Sequence, residues 1–319
     1  MNVQKVGIVG AGTMGNGIAQ AFAVAGFDVV LTDVAEKALQ QALNTISGSL
    51  DRLIKKEKAT VEQKTIALAR ITVGTDLGLL RDCGLIIEAA TENEAVKCKL
   101  FAQLDEIAQP QTILASNTST LSITRLAAAT KRPAQVIGMH FFNPVPMMAL
   151  VEVTSGLQTS AATCEEVESI ARQLGKTPVK LRNSPGFVVN RLLIPMINEA
   201  IFTLADGVAT ATDIDEAMKL GANHPIGPLA LADLIGLDVT LAIMQVLYGS
   251  FNDSKYRAAP LLVEMVEAGY LGRKSGRGFF SYNWGKTFHP RNLTAKAQRY
   301  KDRKGNKTYV TLPTHPMDE

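Results

Sequence analysis

The sequence predicts an α/β fold in which an N-terminal, doubly wound sheet is followed by a C-terminal all-α domain. Three observations carry this prediction. From Val3 to about Val153, short apolar runs alternate with helical patterns, as in a mostly parallel sheet with helices on both faces. A glycine-rich turn at residues 10–15 follows the first apolar run. After a cluster of turn-forming residues at 182–186, the apolar residues repeat at helical spacing.

The N-terminal elements are predicted from their apolar runs. Strands are expected at residues 6–9, 27–32, 84–89, 112–115, 136–140, 148–154 and 178–181. Residues 33–70 are too many for one crossover helix, so they predict two helices with a break near residues 58–60. This helical arm, at about residues 36–70, is expected to project from the sheet. Residues 160–174 predict an amphipathic helix.

The C-terminal elements are predicted to be helices at residues 187–204, 213–220, 229–248 and 259–268. Ser184 and Pro185 suit the cap and first turn of the first of these helices, and Pro195 predicts a kink within it. The division therefore gives domains at residues 1–184 and 185–284. The apolar surplus at residues 192–204 and 229–247 is either a dimer interface or ordinary core, and we expect a homodimer.

Composition excludes several classes of protein. The chain has 319 residues, 46% hydrophobic and 20% charged, which suits a two-domain globular enzyme. Its net charge of +3 arises in a basic tail at residues 285–319, to which we assign no role. The rest is near neutral, so no nucleic-acid partner is expected. We also expect no membrane span and no signal peptide. Three scattered cysteines indicate a reducing, cytoplasmic location and no metal centre.

The glycine-rich turn predicts a dinucleotide-binding, Rossmann-type domain. Its glycines have the spacing G-x-G-x-x-G directly after a strand, and the pyrophosphate would lie at the N-terminus of the following helix. Asp33 ends the next strand, where a carboxylate accepts hydrogen bonds from the adenosine ribose and repels a 2′-phosphate. The predicted cofactor is therefore NAD. Its contacts in the turn are predicted at Gly10, Gly12, Thr13, Met14 and Gly15.

A histidine and a glutamate form the candidate catalytic pair. His140 ends a predicted strand at the carboxyl edge of the sheet, where ligands of such folds bind. Glu152 lies twelve residues later between apolar strand residues, where burial of a carboxylate requires a partner. A glutamate beside a histidine would fix its tautomer and orient it as a base. The alternatives are a buried structural histidine and a structural ion pair.

Two further groups could hold a reacting oxygen. Residues 116–120 follow a predicted strand and supply small hydroxyl and amide side chains, among them Ser119, although part of this run also suits a helix cap. Asn190 lies just past the predicted domain boundary, where a partly buried amide could face the interdomain cleft.

With these motifs in place, the chain resembles the L-3-hydroxyacyl-CoA dehydrogenases, of the bacterial 3-hydroxybutyryl-CoA dehydrogenase type. The resemblance runs from about residue 3 to residue 282. Six motifs carry it in order: GAGTMG at residues 10–15, SNTS at 116–119, HFFNPVP at 140–146, SPGFVVNR at 184–191, MKLGANHPIGP at 218–228 and GRKSGRGFFSY at 272–282. Thr120 stands where a second serine is common, and the tail extends past the usual family end.

The resemblance implies roles for named residues. His140 would be the base, Glu152 its partner, and Ser119 and Asn190 would position the reacting oxygen. Ser49 and Lys56 in the helical arm would bind the CoA portion of an acyl-CoA substrate, with Ser119 also contacting the substrate. Further NAD neighbours implied by the resemblance are Glu92, Lys97, Ser119, Asn143 and Lys274.

The predicted activity is an NAD-dependent interconversion of (S)-3-hydroxyacyl-CoA and 3-oxoacyl-CoA. We expect a short acyl chain, although no motif encodes its length. One alternative is a dehydrogenase of a free hydroxy acid or sugar acid on the same plan, which would have less use for the cations at residues 52–58. A second alternative is a noncatalytic NAD-binding protein, which would have no reason to keep all four candidate catalytic residues.

Overall fold

A single eight-stranded sheet organises the N-terminal half of the chain. The computed structural model describes residues 3–282, together with residues 300–301 and 307–308. Neighbouring strands lie in the order β3-β2-β1-β4-β5-β6-β7-β8, and only the β6–β7 pair is antiparallel. The strands are β1 (Lys5–Val9), β2 (Asp28–Thr32), β3 (Ile71–Gly74), β4 (Leu85–Glu88), β5 (Ile113–Ser116), β6 (Val136–Phe141), β7 (Leu150–Ser155) and β8 (Thr177–Arg182). The predicted α/β fold class is confirmed.

Helices cover both faces of this sheet. Buried side chains form one apolar cluster on each face, which explains why the central strands read as continuous apolar runs. The strand order reverses beside β1, since β2 lies on one side of it and β4 on the other. Ligands of open α/β sheets bind at such a point. The helices are α1 (Thr13–Val24), α2 (Glu36–Ile54), α3 (Val61–Ala69), α4 (Glu94–Ile107), α5 (Ile123–Ala128) and α6 (Ala161–Gln173).

The helical arm consists of α2 and α3, and its predicted break is confirmed. The α2 helix ends at Ile54, and Thr60 begins α3 with a reciprocal pair of hydrogen bonds to Gln63. The expectation that the arm projects is only partly right, because one face of α2, including Ile46 and Leu50, is buried in the sheet's core. The edge strand β3 was not predicted, since its four half-exposed residues form too short an apolar run.

The C-terminal helices pack around a separate apolar cluster of buried residues. They are α7 (Val189–Ala205), α8 (Ala211–Gly221), α9 (Pro228–Ile235), α10 (Leu237–Phe251) and α11 (Pro260–Glu267). The predicted single helix at residues 229–248 is wrong, because Gly236 adopts a φ of 105° and turns the chain by 97° between α9 and α10.

The start of α7 also differs from the prediction. Ser184 and Pro185 do not cap it, since the helix begins at Val189 after a turn in which Gly186 and Phe187 have positive φ angles. Pro195 lies inside α7, which remains one continuous helix.

Two further sequence predictions concern the basic tail and membrane-spanning helices. The basic tail at residues 285–319 lies outside the described residues, apart from β9 (Tyr300–Lys301) and β10 (Lys307–Thr308), which pair antiparallel. Over the described part of the chain, no helix taken singly has the length and apolar character to cross a membrane, and the bent pair α9 and α10 meets the criterion by length and composition alone.

The bend at Gly236 predicts a large difference between two glycine substitutions. A Cβ at position 236 would impose a backbone conformation that side chains rarely adopt, and it would lie 3.0 Å from Asp238 Oδ1. We expect Gly236→Ala to lower the free energy of unfolding by about 1–3 kcal/mol in urea titrations. Gly221→Ala, at the end of α8 with open space around it, is the control and should be neutral or slightly stabilising. Equal effects of the two substitutions would contradict this explanation of the bend.

Candidate active site

The glycine-rich turn leaves the N-terminus of α1 open for an anion. Gly10 has a φ of 102°, and a Cβ there would lie 2.7 Å from the carbonyl oxygen of Ala89. Gly15 packs so closely on Gly10 that a Cβ would overlap its carbonyl oxygen. Gly12 and Thr13 are exposed, and no side chain caps the helix. The uncapped N–H groups and the helix dipole therefore suit a pyrophosphate.

Asp33 lies beside this turn at the end of β2. Its Oδ2 accepts a hydrogen bond of 2.8 Å from Ala11 N, and its Oδ1 accepts one of 3.0 Å from Ala35 N. These two bonds hold the carboxylate against the turn and leave each oxygen a lone pair for a further donor. The position and donor requirements therefore fit the ribose hydroxyls of NAD.

A buried ion-pair network joins the ends of β4 and β5. The Lys97 ammonium lies 2.6 and 2.8 Å from the two oxygens of Glu88 and 3.3 Å from Glu92 Oε2. Lys97 and Glu88 are 1% and 0% exposed, so both charges depend on this pairing. Ser116 Oγ also donates to Glu88 Oε2 at 2.7 Å. Glu88 was not predicted from the sequence, although a carboxylate among apolar strand residues is the same signal that identified Glu152.

Glu92 connects this network to the loop that carries Ser119. Its Oε1 accepts hydrogen bonds from Thr118 Oγ1, from Thr120 Oγ1 at 2.9 Å and from Ser119 N at 3.2 Å. Burial acts to raise the pKa of the Glu92 carboxyl, but the Lys97 charge and the threonine hydroxyls outweigh it and hold the pKa below its ordinary value. Glu92 is therefore a carboxylate that fixes the 118–120 loop.

His140 and Glu152 form the pair that the sequence predicted. They lie directly opposite each other in the antiparallel β6–β7 register, and His140 Nδ1 is 2.7 Å from Glu152 Oε2. His140 is 7% exposed and Glu152 is 1% exposed. When Glu152 is ionised and the imidazole is neutral, Nδ1 carries the proton of this hydrogen bond and Nε2 keeps a free lone pair.

The second oxygen of Glu152 binds the segment that enters α7. Its Oε1 accepts hydrogen bonds of 3.1 Å from Val188 N and 3.0 Å from Val189 N. The imidazole contacts two phenylalanine rings, with ring centroids 4.4 Å from Phe142 and 5.8 Å from Phe187. Sequence analysis assigned no role to these rings, because a phenylalanine in an apolar run gives no signal that separates it from ordinary core.

Ser119 and Asn190 lie in two segments that are hydrogen-bonded to this pair or to Phe141, which follows His140. Asn117 Oδ1 accepts a hydrogen bond of 2.9 Å from Phe141 N, which ties the 116–120 loop to the residue after His140. Asn190 follows Val189 in the first turn of α7. Both Ser119 and Asn190 are half-buried, and within the described residues neither side chain makes a hydrogen bond.

The other predicted ligand residues lie outside these contacts. Lys274 Nζ pairs with Asp238 in the C-terminal half, at 2.5 and 2.6 Å. Asn143 is exposed and precedes a cis peptide bond. Ser49 is half-buried on α2, and Lys56 is exposed just beyond the end of that helix. Over residues 3–282, no group of three or more histidine, cysteine or acidic side chains has the arrangement of a metal site.

Comparison with known proteins gives matches along nearly the whole described chain. A family model described as 3-hydroxyacyl-CoA dehydrogenase, NAD binding domain, matches residues 5–184, and the model of the C-terminal domain of the same family matches residues 186–282. A 3-hydroxybutyryl-CoA dehydrogenase of Bradyrhizobium diazoefficiens is 54% identical over 284 residues, which cover 89% of this chain and 97% of the relative.

Solved structures give the same result. The crystal structure of (S)-3-hydroxybutyryl-CoA dehydrogenase from Ralstonia eutropha is similar with a TM-score of 0.86 and 59% identity, covering 89% of this chain and 100% of that one. Among curated sequences, a second 3-hydroxybutyryl-CoA dehydrogenase, from Clostridioides difficile, is 54% identical over 88% of this chain and 99% of the relative.

The buried network predicts that Lys97 is needed for stability. Lys97→Met would leave the Glu88 charge buried without its partner, so we expect a loss of about 3–5 kcal/mol in the free energy of unfolding. Arg125→Met removes an exposed, solvent-screened ion pair with Glu94 and serves as the control, with little or no expected loss of stability. Chemical denaturation of both variants at neutral pH measures the difference. A loss of unfolding free energy in Lys97→Met no larger than in Arg125→Met would contradict the conclusion that the buried Lys97–Glu88 pair stabilises the fold.

Proposed function

Because this chain belongs to the 3-hydroxyacyl-CoA dehydrogenase family, we propose that its His140–Glu152 pair performs the proton transfer of the 3-hydroxyacyl-CoA dehydrogenase reaction. The chain is an NAD-dependent oxidoreductase that interconverts 3-hydroxyacyl-CoA and 3-oxoacyl-CoA. The observation that carries the proposal is the bond of 2.7 Å between His140 Nδ1 and Glu152 Oε2. This bond leaves the other imidazole nitrogen free to exchange a proton with substrate.

The proton moves through His140 Nε2. In the oxidation, this nitrogen takes the proton of the substrate hydroxyl, and the imidazolium that results is stabilised by the Glu152 carboxylate. In the reduction, the same imidazolium gives its proton to the ketone oxygen. Bound NAD supplies the hydride acceptor, and NADH the hydride donor.

Ser119 and Asn190 are proposed to orient the reacting oxygen. Their side-chain hydrogen-bonding groups have no partner among the described residues. Asn117, two residues before Ser119, accepts from Phe141 N, and Val189, which precedes Asn190, donates to Glu152. Holding an oxygen in line with the base can contribute several kcal/mol to catalysis. Since Asn190 lies beyond the proposed domain boundary at residues 184–185, movement between the two domains would complete or open this site.

The NAD site is proposed at the carboxyl ends of β1 and β2. Gly10, Gly12, Thr13, Met14 and Gly15 would surround the pyrophosphate, and Asp33 would bind the ribose. On the nicotinamide side, Glu92, Ser119, Asn143 and Lys274 remain proposed neighbours. The full burial of the Lys97 ammonium between two carboxylates favours an indirect role for that residue, in which it fixes Glu92.

The substrate is proposed to be a short-chain acyl-CoA such as 3-hydroxybutyryl-CoA. The names of the relatives support the short chain. Ser49 and Lys56 in the arm would bind the CoA portion, because exposed Lys56 has no acidic partner among the described residues and can pair with a phosphate.

We also propose a cytoplasmic homodimer. The exposed apolar side chains of the C-terminal helices support a subunit interface, since Leu192, Val208 and Leu220 are each more than two-thirds exposed. The three free cysteines suit a reducing compartment.

A spectrophotometric assay tests the proposed activity and base together. Wild-type protein should oxidise NADH with acetoacetyl-CoA, and should do so far more slowly with free acetoacetate or with NADPH. His140→Ala should lower kcat by about 10²–10⁴-fold, because it removes the general acid, while the NADH dissociation constant stays the same. His224→Ala, a histidine of the C-terminal half, should keep wild-type activity. Turnover of free acetoacetate at the rate of the thioester, or full activity without His140, would overturn the proposal.

Kinetics of a lysine substitution test the proposed CoA contact. Lys56→Ala should raise KM for acetoacetyl-CoA roughly fivefold to tenfold and leave kcat nearly unchanged, because the lost charge contacts a remote part of the substrate. The effect should shrink at high salt, where exposed charges are screened. Lys131→Ala is the control, because it removes an exposed lysine that precedes the amino end of β6. A KM change of the same size in both variants would exclude a specific CoA contact.

A further inference from the structure

One residue near the catalytic pair has a backbone conformation that its side chain disfavours. Among the described residues, four that are not glycine have a positive φ: Glu57, Phe187, Asn223 and Asn252. Three of these are exposed, and two are asparagines, which tolerate this conformation. Phe187 is an aromatic residue with a φ of 49° and is 3% exposed. Such a strained, buried conformation persists only where surrounding contacts fix it, and it is a reason to look for a function.

The contacts that fix Phe187 belong to a tight turn between the sheet and α7. Phe187 N donates to Ser184 O at 3.0 Å, and Arg191 N donates to Gly186 O at 3.1 Å. Gly186 also has a positive φ, and a Cβ there would lie 2.9 Å from Leu247 in α10. Two successive left-handed residues therefore reverse the chain against the C-terminal helices.

This reversal delivers three groups to the catalytic pair at once. The Phe187 ring meets the His140 imidazole edge-on, with centroids 5.8 Å apart and an interplanar angle of 60°. The next two N–H groups, of Val188 and Val189, bind Glu152 Oε1. A regular helix starting at Ser184 would direct these groups elsewhere, so the strained turn is what brings them to the pair.

We infer that Phe187 is a positioning residue for the reaction, acting through His140 and Glu152. Its ring packs edge-on against the imidazole, which also contacts Phe142, and limits the access of water to the hydrogen bond between His140 Nδ1 and Glu152 Oε2. Its left-handed backbone directs the N–H groups of Val188 and Val189 toward Glu152 Oε1, the oxygen that does not contact His140. The turn thereby links the orientation of α7, which carries Asn190, to the orientation of the base. The inference rests on the proposed role of His140.

Paired leucine substitutions test this role. Phe187→Leu keeps an apolar side chain but removes the ring, and it should lower kcat with acetoacetyl-CoA about tenfold to a hundredfold while KM for NADH changes less than threefold. Phe101→Leu is the matched control, since Phe101 is fully buried in the same apolar cluster, whereas the ring contacts of His140 are with Phe142 and Phe187. It should lower thermal stability but leave kcat near the wild-type value. Phe187→Tyr, which keeps the ring, should recover most of the activity.

A second readout needs no turnover. The Nδ1 proton between His140 and Glu152 should give a downfield NMR resonance in the wild-type protein, be retained in Phe101→Leu, and be lost by exchange with water in Phe187→Leu. Equal kcat and an equally retained proton in the two leucine variants would overturn the inference. If Phe187→Leu does not fold, Phe187→Met replaces it with the same expectations. Failure of the proposed function is recognised separately, as a wild-type protein inactive with the thioester or a His140→Ala variant that stays active.

Discussion

The Glu152 carboxylate is the group on which the active site and its connection to the C-terminal helices both depend. One oxygen orients His140, and the other accepts two N–H groups from the start of α7. A carboxylate that is 1% exposed needs all of these partners, since an unpaired buried charge is costly. Its burial therefore forces the sheet, the base and the entry to α7 into a single arrangement.

The same device recurs along the chain. Asp33 holds the glycine turn through Ala11 N, and Asp215 receives two N–H groups at the start of α9. Asp233 fixes the end of the described C-terminal half by accepting from two backbone N–H groups and from Tyr282. Burial raises the pKa of Asp233, although these hydrogen bonds oppose it. Buried and half-buried acids thus hold loops in place through backbone N–H groups.

Prediction from the sequence succeeded where a local pattern has one physical meaning. The glycine spacing, the apolar strands and the His140–Glu152 pair follow from turn geometry, alternating elements and the cost of burying an acid. Failures arose where the outcome depends on distant contacts. Gly236 has a positive φ that bends an otherwise helical apolar stretch, and Phe187 has a positive φ in the turn whose next two N–H groups bind Glu152. Glu88 was overlooked although its signal was readable, since Lys97 was assigned to the cofactor instead.

Hydrogen exchange at Val188 and Val189 measures whether Glu152 holds the start of α7. If Glu152 holds the entry to α7, these two amides should be protected in the wild-type protein and exchange markedly faster in Glu152→Gln. The glutamine side chain has a single, uncharged acceptor oxygen, whereas the carboxylate has two charged ones. Amides in the middle of α7 should be unchanged in the same sample. Equal protection of Val188 and Val189 in the two proteins would show that the carboxylate does not join His140 to the C-terminal helices.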